Sequence, residues 1–263
     1  MTSKDSHAGR SRLRAALRGT GEVAGTFLKL PSVDGVELAA QAGLDFVVVD
    51  LEHSGLSEPD AAALVRHAAL LGLPALVRLP AVDPAQVNRL LEAGAAGVQL
   101  STVRSRAQVH ALRAATRYAP HGQRSISLAH PSARYGAFGL DRYLAAEAAD
   151  PPIVVAQIET ASTDDPLSDL LHGVDVGFVG TTDLSVSLGV SQTGDLAPLV
   201  RRAAEIADAA RAAGAAFGGW VPEPSVPVLA RYGLSSARYL VVGSDLQALG
   251  AGLRQLAHQA RTG

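Results

Sequence analysis

The sequence predicts an α/β protein built as a single (β/α)8 barrel, the TIM-barrel fold. Eight short apolar segments recur along the 263 residues, and most of them are continuous rather than alternating in polarity. Continuous apolar segments are typical of strands that are buried on both faces of a parallel sheet. Alanine-rich segments with helical periodicity lie between them, and eight strands with intervening helices in about 250 residues are typical of this barrel.

The boundaries of the predicted elements follow from apolar runs and from capping residues. Prolines lie near helix starts, as at Pro59 and Pro84, and glycines near helix ends, as at Gly72, which is the asymmetry that helix capping favours. The predicted strands cover residues 23–30, 45–52, 75–80, 97–102, 153–160, 176–182, 216–221 and 239–245. The predicted helices cover residues 34–43, 57–72, 84–94, 105–117, 164–172, 197–213 and 223–233.

The sequence predicts one folded domain. A polar, basic tail with a short amphipathic helix is expected over residues 1–20, and the barrel over residues 21–263. The segment 118–150 is too long for a simple connection, and loops of this length are commonly functional or interfacial. A doubly wound open sheet is the structural alternative, but no glycine-rich dinucleotide fingerprint follows the first predicted strand.

Composition excludes several classes of partner and cofactor. The net charge of −2 gives no reason to expect binding to nucleic acid or to an anionic membrane. The absence of cysteine excludes disulfides and thiolate-based zinc or iron–sulfur sites. No apolar run approaches the roughly 20 residues that a membrane span requires, and the amino-terminal segment has no apolar core of a secretory signal. We therefore expect a soluble, cytoplasmic protein.

Polar side chains follow most of the predicted strands at the points where the strands end. In a (β/α)8 barrel the active site lies at the carboxyl ends of the strands. These positions therefore supply the candidate functional residues. They are Asp50 and Glu52 at the end of the second strand with His53 behind it, Arg78 in the third, Ser101 and Thr102 at the end of the fourth, Gln157 and Glu159 in the fifth, and Thr182 at the end of the sixth with Asp183 behind it.

Glu159 and Asp183 lie about one βα unit apart, so the barrel places them at the ends of adjacent strands. Two converging carboxylates with room for water suit a hard cation such as Mg²⁺ or Mn²⁺. Carboxylates at strand–helix turns also act as helix caps. From the residues alone, metal binding and capping remain equally open.

The second strand delivers a histidine and an aspartate to the same end of the barrel. His53 is a candidate general base, and Asp50 is placed to orient it. The alternative is a surface histidine in a polar loop. Arg78 interrupts an apolar strand, where an unpaired charge is costly, so either an anionic substrate or a structural ion pair with Asp50 or Glu52 is expected.

Six segments in the same order resemble the HpcH/HpaI aldolase family, the metal-dependent class II pyruvate aldolases that include 2-keto-3-deoxyglucarate aldolase. The resemblance covers about residues 20 to 255. The segments are "FVVVDLEH", "LVRLPAVDPAQVNRLLEAGAAGV", "RYAPHGQRS", "VVAQIET", "VDVGFVGTTDLSVSLG" and "YLVVGSDLQAL".

The resemblance implies a barrel of the phosphoenolpyruvate/pyruvate-binding type. It further implies a carbon–carbon lyase, an aldolase that cleaves or forms 4-hydroxy-2-oxo acids through a divalent-metal-bound pyruvate enolate and an aldehyde. Its partners would be a small 2-oxo acid and an aldehyde, with no nucleic acid and no membrane. The eighth helix of the family fold swaps between subunits, which implies a homo-oligomer, either a hexamer or a trimer of dimers.

The resemblance also assigns roles to the candidate residues. Glu159 and Asp183 would hold the divalent metal ion, which is Mg²⁺, Mn²⁺ or Co²⁺. Arg78 would stabilise the enolate oxygen, and His53, held by Asp50, would transfer the proton on the aldehyde side. Three further residues would position the pyruvyl group, while the loop arginine Arg124 would support the site. These three are Gln157, Thr182 and Ser101.

Two departures from the family pattern fall beside these residues. Where a proline usually follows the fourth strand, this chain has Ser101 and Thr102. Where Gly-Pro-x-Asp-Leu is usual, it has Thr181 and Thr182 ahead of Asp183. The metal ligands survive both changes, whereas the walls of the pocket differ.

Two other functions remain open from the sequence. A related lyase that acts on a thioester, of the citramalyl or malyl type, would need a basic patch for the phosphates of coenzyme A, and none is evident. A barrel without catalysis, used as a binding subunit, is the second alternative. The survival of all the candidate metal-binding and catalytic residues together disfavours it.

Overall fold

The chain forms a closed barrel of eight parallel strands. The computed structural model describes residues 6–191 and 193–262, with side chains from residue 8 onwards. The strands follow one another around the barrel in chain order, and the last strand pairs with the first. The predicted (β/α)8 barrel is therefore confirmed, and the doubly wound open sheet is excluded because such a sheet does not close.

All eight predicted strands are present. Seven of the observed strands end earlier than predicted, because the residues behind the apolar runs belong to loops or to the next helix, whereas β7 has the predicted bounds. Thr181 and Thr182, for example, were assigned to the sixth strand but begin a helix. The strands are β1 (Val23–Leu28), β2 (Phe46–Asp50), β3 (Ala75–Leu79), β4 (Gly97–Leu100), β5 (Ile153–Ile158), β6 (Val176–Val179), β7 (Ala216–Val221) and β8 (Tyr239–Ser244).

Helices surround the barrel, and three of them lie outside the predicted helical segments. The unpredicted helices are the sixth, the eighth and the last. The helices are α1 (Ser6–Arg18), α2 (Val33–Gln41), α3 (Glu58–Leu71), α4 (Pro84–Ala93), α5 (Arg106–Thr116), α6 (Leu140–Ala149), α7 (Leu167–Leu171), α8 (Thr181–Ser187), α9 (Ala197–Ala212), α10 (Val226–Arg231) and α11 (Asp245–Thr262). Nowhere in residues 6–191 and 193–262 does a helix combine the length and the apolar character of a membrane span.

The helix ends follow the predicted capping chemistry. Ser57 caps α3 in a reciprocal capping box with Asp60, and Gly72 ends this helix in the left-handed conformation. Asp83 caps α4, whose first residue is Pro84. These caps fix the directions in which the βα loops leave the barrel.

The long segment 118–150 contains a 3₁₀-helix, Pro131–Gly136, and α6. Within it, Arg124 donates hydrogen bonds to Glu147 at 2.7 Å and to Asn88 at 2.8 Å. Arg124 is buried and is absent from the lining of the cavity at the carboxyl ends of the strands. The structure thus gives Arg124 a role in holding this segment against α4 rather than the expected support of the site.

Apolar side chains form two separate cores. One lies between the strands and the outer helices, and the other fills the inside of the barrel. Inside the barrel the rings of Phe46 and Tyr239 stack with centroids 4.3 Å apart. Gly25 on β1 leaves the room that this stack needs, because a Cβ atom there would lie 2.5 Å from the ring of Phe46.

α1 closes the amino-terminal end of the barrel. Its Leu13 and Leu17 are buried in the inner core, and its Arg10 binds Glu147 at 2.7 Å. Residues 1–5 of the predicted tail lie outside the described residues. The predicted domain boundary at residue 20 stays a prediction, although the helix on its amino-terminal side shares its core with the strands.

Replacing Leu17 by alanine should therefore destabilise the whole barrel. We expect Leu17→Ala to lower the free energy of unfolding by about 2–5 kcal/mol, the usual cost of truncating a buried leucine. Leu70→Ala, on an exposed position of α3, should change it by less than about 0.5 kcal/mol. Urea unfolding followed by circular dichroism measures both values. Equal effects of the two substitutions would show that α1 is not part of the barrel core.

Candidate active site

A cavity of about 480 Å³ opens at the carboxyl ends of the strands. This volume is within the usual range of small-molecule sites. Its walls combine cations, aromatic rings and the turn between β6 and α8. The lining residues are Phe27, Lys29, His53, Arg78, Gln157, Phe178, Gly180, Thr181, Thr182, Asp183, Trp220, Gly243, Ser244, Leu246 and Gln247.

A buried ion pair between β2 and β3 supports one side of this cavity. Arg78 donates to Asp50 through Nε at 2.9 Å and through Nη2 at 2.7 Å. The guanidinium lies over the ring of Phe27, with Cζ 4.2 Å from the ring centroid. Its Nη1 lies 3.3 Å from Glu52. Arg78 is therefore held in the predicted structural ion pair, and it also lines the cavity.

Asp50 is fully buried and yet carries a charge. Burial alone raises its pKa, but the hydrogen bond and charge of Arg78, the main-chain N–H of His53 and the charge of Lys29 outweigh burial and lower the pKa to about 2. Lys29 Nζ lies 3.1 Å from the carboxylate. Asp50 is therefore ionised at neutral pH, and it neutralises part of the positive charge of the cavity wall.

The loop after β2 folds around the same carboxylate. The main-chain N–H groups of Glu52 and His53 donate to Asp50 Oδ1 at 3.1 and 3.2 Å. The imidazole of His53 is 55% exposed, and its Nε2 lies 3.7 Å from Glu52. Asp50 thus positions His53 through the main chain, and the ring contact expected from the sequence is made by Glu52 instead.

Glu159, at the end of β5, is buried among hydrogen-bond donors. The main-chain N–H and the hydroxyl of Thr102 donate to its Oε1 at 2.7 and 2.8 Å, and the amide of Gln157 donates to its Oε2. Burial raises the pKa of Glu159, and the charge of Asp183 adds to that effect, against hydrogen bonds that lower it. The two carboxylates are therefore close enough to repel each other.

The turn between β6 and α8 brings the second carboxylate to the cavity. Asp183 lies in the first turn of α8 and lines the cavity. Gly180 precedes this helix, and a Cβ atom there would lie 2.1 Å from Glu159 Oε2. Only glycine therefore leaves space beside this oxygen. Within the described residues, no group of three or more His, Asp or Glu side chains could hold a metal ion, so a bound ion would have these two carboxylates and complete its shell with other oxygens.

The structure brings most of the predicted site residues together, but not all. Gln157 and Thr182 line the same cavity as the residues above. Ser101 is buried, its hydroxyl donates to the carbonyl of Leu79 at 3.3 Å, and it does not line this cavity. Its predicted contact with substrate therefore has no support from the cavity.

Sequence reasoning missed two residues that shape the site, Lys29 and Trp220, and it named Thr102 only as a candidate without its role. Lys29 follows β1, donates to the carbonyl of His53 at 3.1 Å and lines the cavity. Trp220 lines the opposite wall and donates to Gly243 at 3.2 Å. Thr102 has a left-handed φ of 49°, which is rare for a β-branched residue, while both of its donors hold Glu159. A polar residue at the end of β1 was the only signal that could have identified Lys29.

The chain is a closed barrel with cations and carboxylates around a cavity at the carboxyl ends of its strands. This arrangement is typical of the (β/α)8-barrel class of enzymes. Residues 24–244 match the model of the HpcH/HpaI aldolase/citrate lyase family, and the chain belongs to this family. It is an enzyme of the aldolase type, a carbon–carbon lyase.

Known proteins of this family resemble the chain over most of its length. A hydroxypyruvate/pyruvate aldolase of Rhizorhabdus wittichii is 33% identical over 89% of this chain and 92% of its own. A 4-hydroxy-2-oxo-heptane-1,7-dioate aldolase of Salmonella paratyphi C is 31% identical, covering 89% of this chain and 88% of its own. The crystal structure of an HpcH/HpaI aldolase from Desulfitobacterium hafniense superposes with a TM-score of 0.85, at 27% identity over 96% of each chain.

The lowered pKa of Asp50 predicts a pH-dependent stability. A folded-state pKa below the usual aspartate value of 3.8 gives a stabilisation that is present above about pH 4 and is lost as the pH falls towards about 2. Between about pH 5 and about pH 3, we expect the stability advantage of the wild type over Asp50→Asn to shrink by about 1 kcal/mol. Urea titrations at the two pH values measure this difference. A constant advantage would contradict the charged, paired state of Asp50.

Proposed function

We propose that this aldolase cleaves or forms 4-hydroxy-2-oxo acids, with the enolate of pyruvate as the nucleophile and an aldehyde as the second partner. The observation that carries the proposal is the arrangement of Glu159 and Asp183 on adjacent strand ends, beside a cavity that also presents Arg78. The names of the relatives support a 2-oxo acid as the substrate class, because they act on hydroxypyruvate, pyruvate or a 4-hydroxy-2-oxo diacid.

The residues fit a divalent ion, for which Mg²⁺, Mn²⁺ and Co²⁺ are the candidates. Carboxylate oxygens are the ligands that hard cations prefer, and Glu159 and Asp183 supply them. The two donors of Thr102 occupy Glu159 Oε1, so Oε2 is the oxygen beside the space that Gly180 leaves. When bound, the ion would act as a Lewis acid that stabilises negative charge on the substrate.

Arg78 supplies positive charge where the enolate develops it. Its two bonds to Asp50 fix the guanidinium in one orientation, so it needs no rearrangement during the reaction. Lys29 adds a second cation on the same wall. Gln157 and Thr182 are placed to bind the carboxylate and keto oxygens of the pyruvyl group.

His53 transfers the proton on the aldehyde side. When the carbon–carbon bond breaks, the C4 hydroxyl of the substrate loses its proton and becomes the aldehyde, while the bonding electrons form the enolate. The imidazole lines the cavity and is largely exposed, so it can exchange protons with water as well as with substrate.

The exposed face of α11 supports a proposal for the quaternary structure. Four leucines on this helix are between 45% and 63% exposed, and the helix has no buried residue. Such a face usually marks an interaction site. Together with the swapped eighth helix that the family resemblance implies, it supports a homo-oligomer, either a hexamer or a trimer of dimers. The proposed location is the cytoplasm. The leucines are Leu246, Leu249, Leu253 and Leu256.

Exchange of the pyruvate methyl protons for deuterium tests the metal site without knowledge of the aldehyde. In D₂O, NMR should show exchange that depends on Mg²⁺, Mn²⁺ or Co²⁺. Glu159→Gln and Asp183→Asn should each slow it about a hundredfold or more, because each removes one of two protein ligands. Glu205→Gln and Asp208→Asn, on exposed positions of α9, are the matched controls and should leave it unchanged.

Folded protein that exchanges no deuterium with any of the three ions would overturn pyruvate as the nucleophile. A lyase acting on a thioester or a barrel without catalysis would then be the better description. Exchange at the wild-type rate in either ligand variant would overturn the assignment of Glu159 and Asp183 alone.

The proposed role of His53 is tested by measuring aldol cleavage and deuterium exchange separately. His53→Ala should slow aldol cleavage about a hundredfold or more, as expected for loss of a general base, and slow deuterium exchange far less. His110→Ala, an exposed histidine on α5, serves as the control. Steady-state cleavage of a 4-hydroxy-2-oxo acid and the NMR exchange rate measure the two steps. Equal losses in both would place His53 on the pyruvate side instead.

A further inference from the structure

A second cavity lies at the amino-terminal end of the barrel, opposite the aldolase site. It has a volume of about 250 Å³ and lies between α1, the residue after α5, and the starts of β6 and β7. Three arginines dominate its lining, and we refer to it as the arginine cavity. The lining residues are Arg14, Leu17, Arg18, Arg117, Pro151, Gly173, Val174, Asp175, Gly214 and Ala216.

The arginines of this region are paired to very different extents. Arg14 binds Asp150 at 2.8 Å and also contacts Asp175. Arg117 and the neighbouring Arg113 have no side-chain hydrogen bond or ion pair within the described residues, and the Nε atom of each is shielded from solvent without a partner. Shielded Nε–H groups without acceptors are costly, and no acidic side chain within the described residues pairs with either guanidinium.

The environment of Arg117 disfavours its charge. Burial is the main cause that lowers its pKa, the charge of Asp175 raises it, and the charges of Arg14, Arg113 and Arg10 lower it again. The helix dipole favours arginines at helix ends, as for Arg113 in the last turn of α5, but it does not supply acceptors for buried Nε atoms.

The geometry of the walls suits a small tetrahedral anion. Guanidinium groups bind phosphate oxygens through paired hydrogen bonds, and a phosphate can accept such bonds from several arginines at once. Gly173 separates the cavity from Arg113, since a Cβ atom there would lie 2.6 Å from the guanidinium carbon. The missing side chain therefore lets Arg113 lie directly behind the lining.

We propose that the arginine cavity binds a phosphate group, either as inorganic phosphate or as the phosphoryl group of a small phosphate monoester. Arg117 is the principal contact and Arg18 closes the open side, whereas Arg113 lines a separate cavity and adds only its positive charge from the far side of Gly173. The site is independent of the proposed aldolase function, because none of its residues lines the cavity at the other end of the barrel.

Calorimetry on metal-free wild-type protein tests the proposal. Potassium phosphate is titrated in EDTA-containing buffer, against potassium chloride of equal ionic strength, and glycerol phosphate is titrated in parallel. We expect saturable binding of phosphate and a rise of the melting temperature with its concentration, because the ligand binds the folded state. Tighter binding of glycerol phosphate would identify a monoester as the ligand, and equal or weaker binding would identify free phosphate.

Matched arginine variants locate the binding site. Arg117→Gln should weaken phosphate binding about tenfold or more, since it removes a charge-assisted pair. Arg18→Gln changes an exposed position and serves as the second variant if Arg117→Gln does not fold. It should weaken phosphate binding severalfold. Arg211→Gln removes an exposed arginine on α9 and should leave the affinity unchanged.

Two results would overturn the proposal. One is binding that does not saturate, or that chloride of equal ionic strength reproduces. The other is phosphate binding that Lys29→Gln abolishes and the arginine variants retain, which would place the anion in the aldolase cavity. Loss of metal-dependent deuterium exchange with normal phosphate binding would affect only the aldolase assignment.

Discussion

The buried ion pair between Asp50 and Arg78 is the interaction on which the active site depends. It joins the ends of β2 and β3, while Lys29 attaches β1 to the same carboxylate. The loop that carries His53 is folded around Asp50 by main-chain hydrogen bonds. A buried pair of this kind adds little net stability compared with an apolar core, because both charges must leave water. Its contribution is to fix a cation and a histidine on one wall of the cavity.

The departures from the family pattern fall on residues that hold this site together. Thr102 lies in the segment after the fourth strand where the family usually has a proline. Its main-chain N–H and its hydroxyl both donate to one oxygen of Glu159. Thr181 is the first residue of α8, a position that favours proline because its N–H has no helical partner. Its hydroxyl instead donates to the carbonyl of Trp220 at 2.9 Å, which links α8 to β7. Both changes therefore add polar links between neighbouring strand ends.

The barrel was predictable because strands buried on both faces leave continuous apolar runs, as in "FVVVD" of β2. Most candidate residues were predictable because the strand ends converge. The hydrogen-bond partners of these residues were not predictable. Three-dimensional packing decides which donor reaches Asp50, and it also turns Ser101 away from the cavity. α8 was missed because apolar residues of β6 run directly into it, and α11 because its first residue, Asp245, follows β8 directly and falls within the predicted last strand.

The position of α1 has a consequence for synthesis on the ribosome. Arg10 pairs with a glutamate 137 residues further along the chain, and Arg14 contacts an aspartate 161 residues further along. The helix that closes the barrel thus leaves the ribosome before any of the strands, yet its docking site exists only after β6 has emerged. Leu13 and Leu17 stay exposed during that interval, so the nascent chain carries an unprotected apolar surface and is a candidate for chaperone binding.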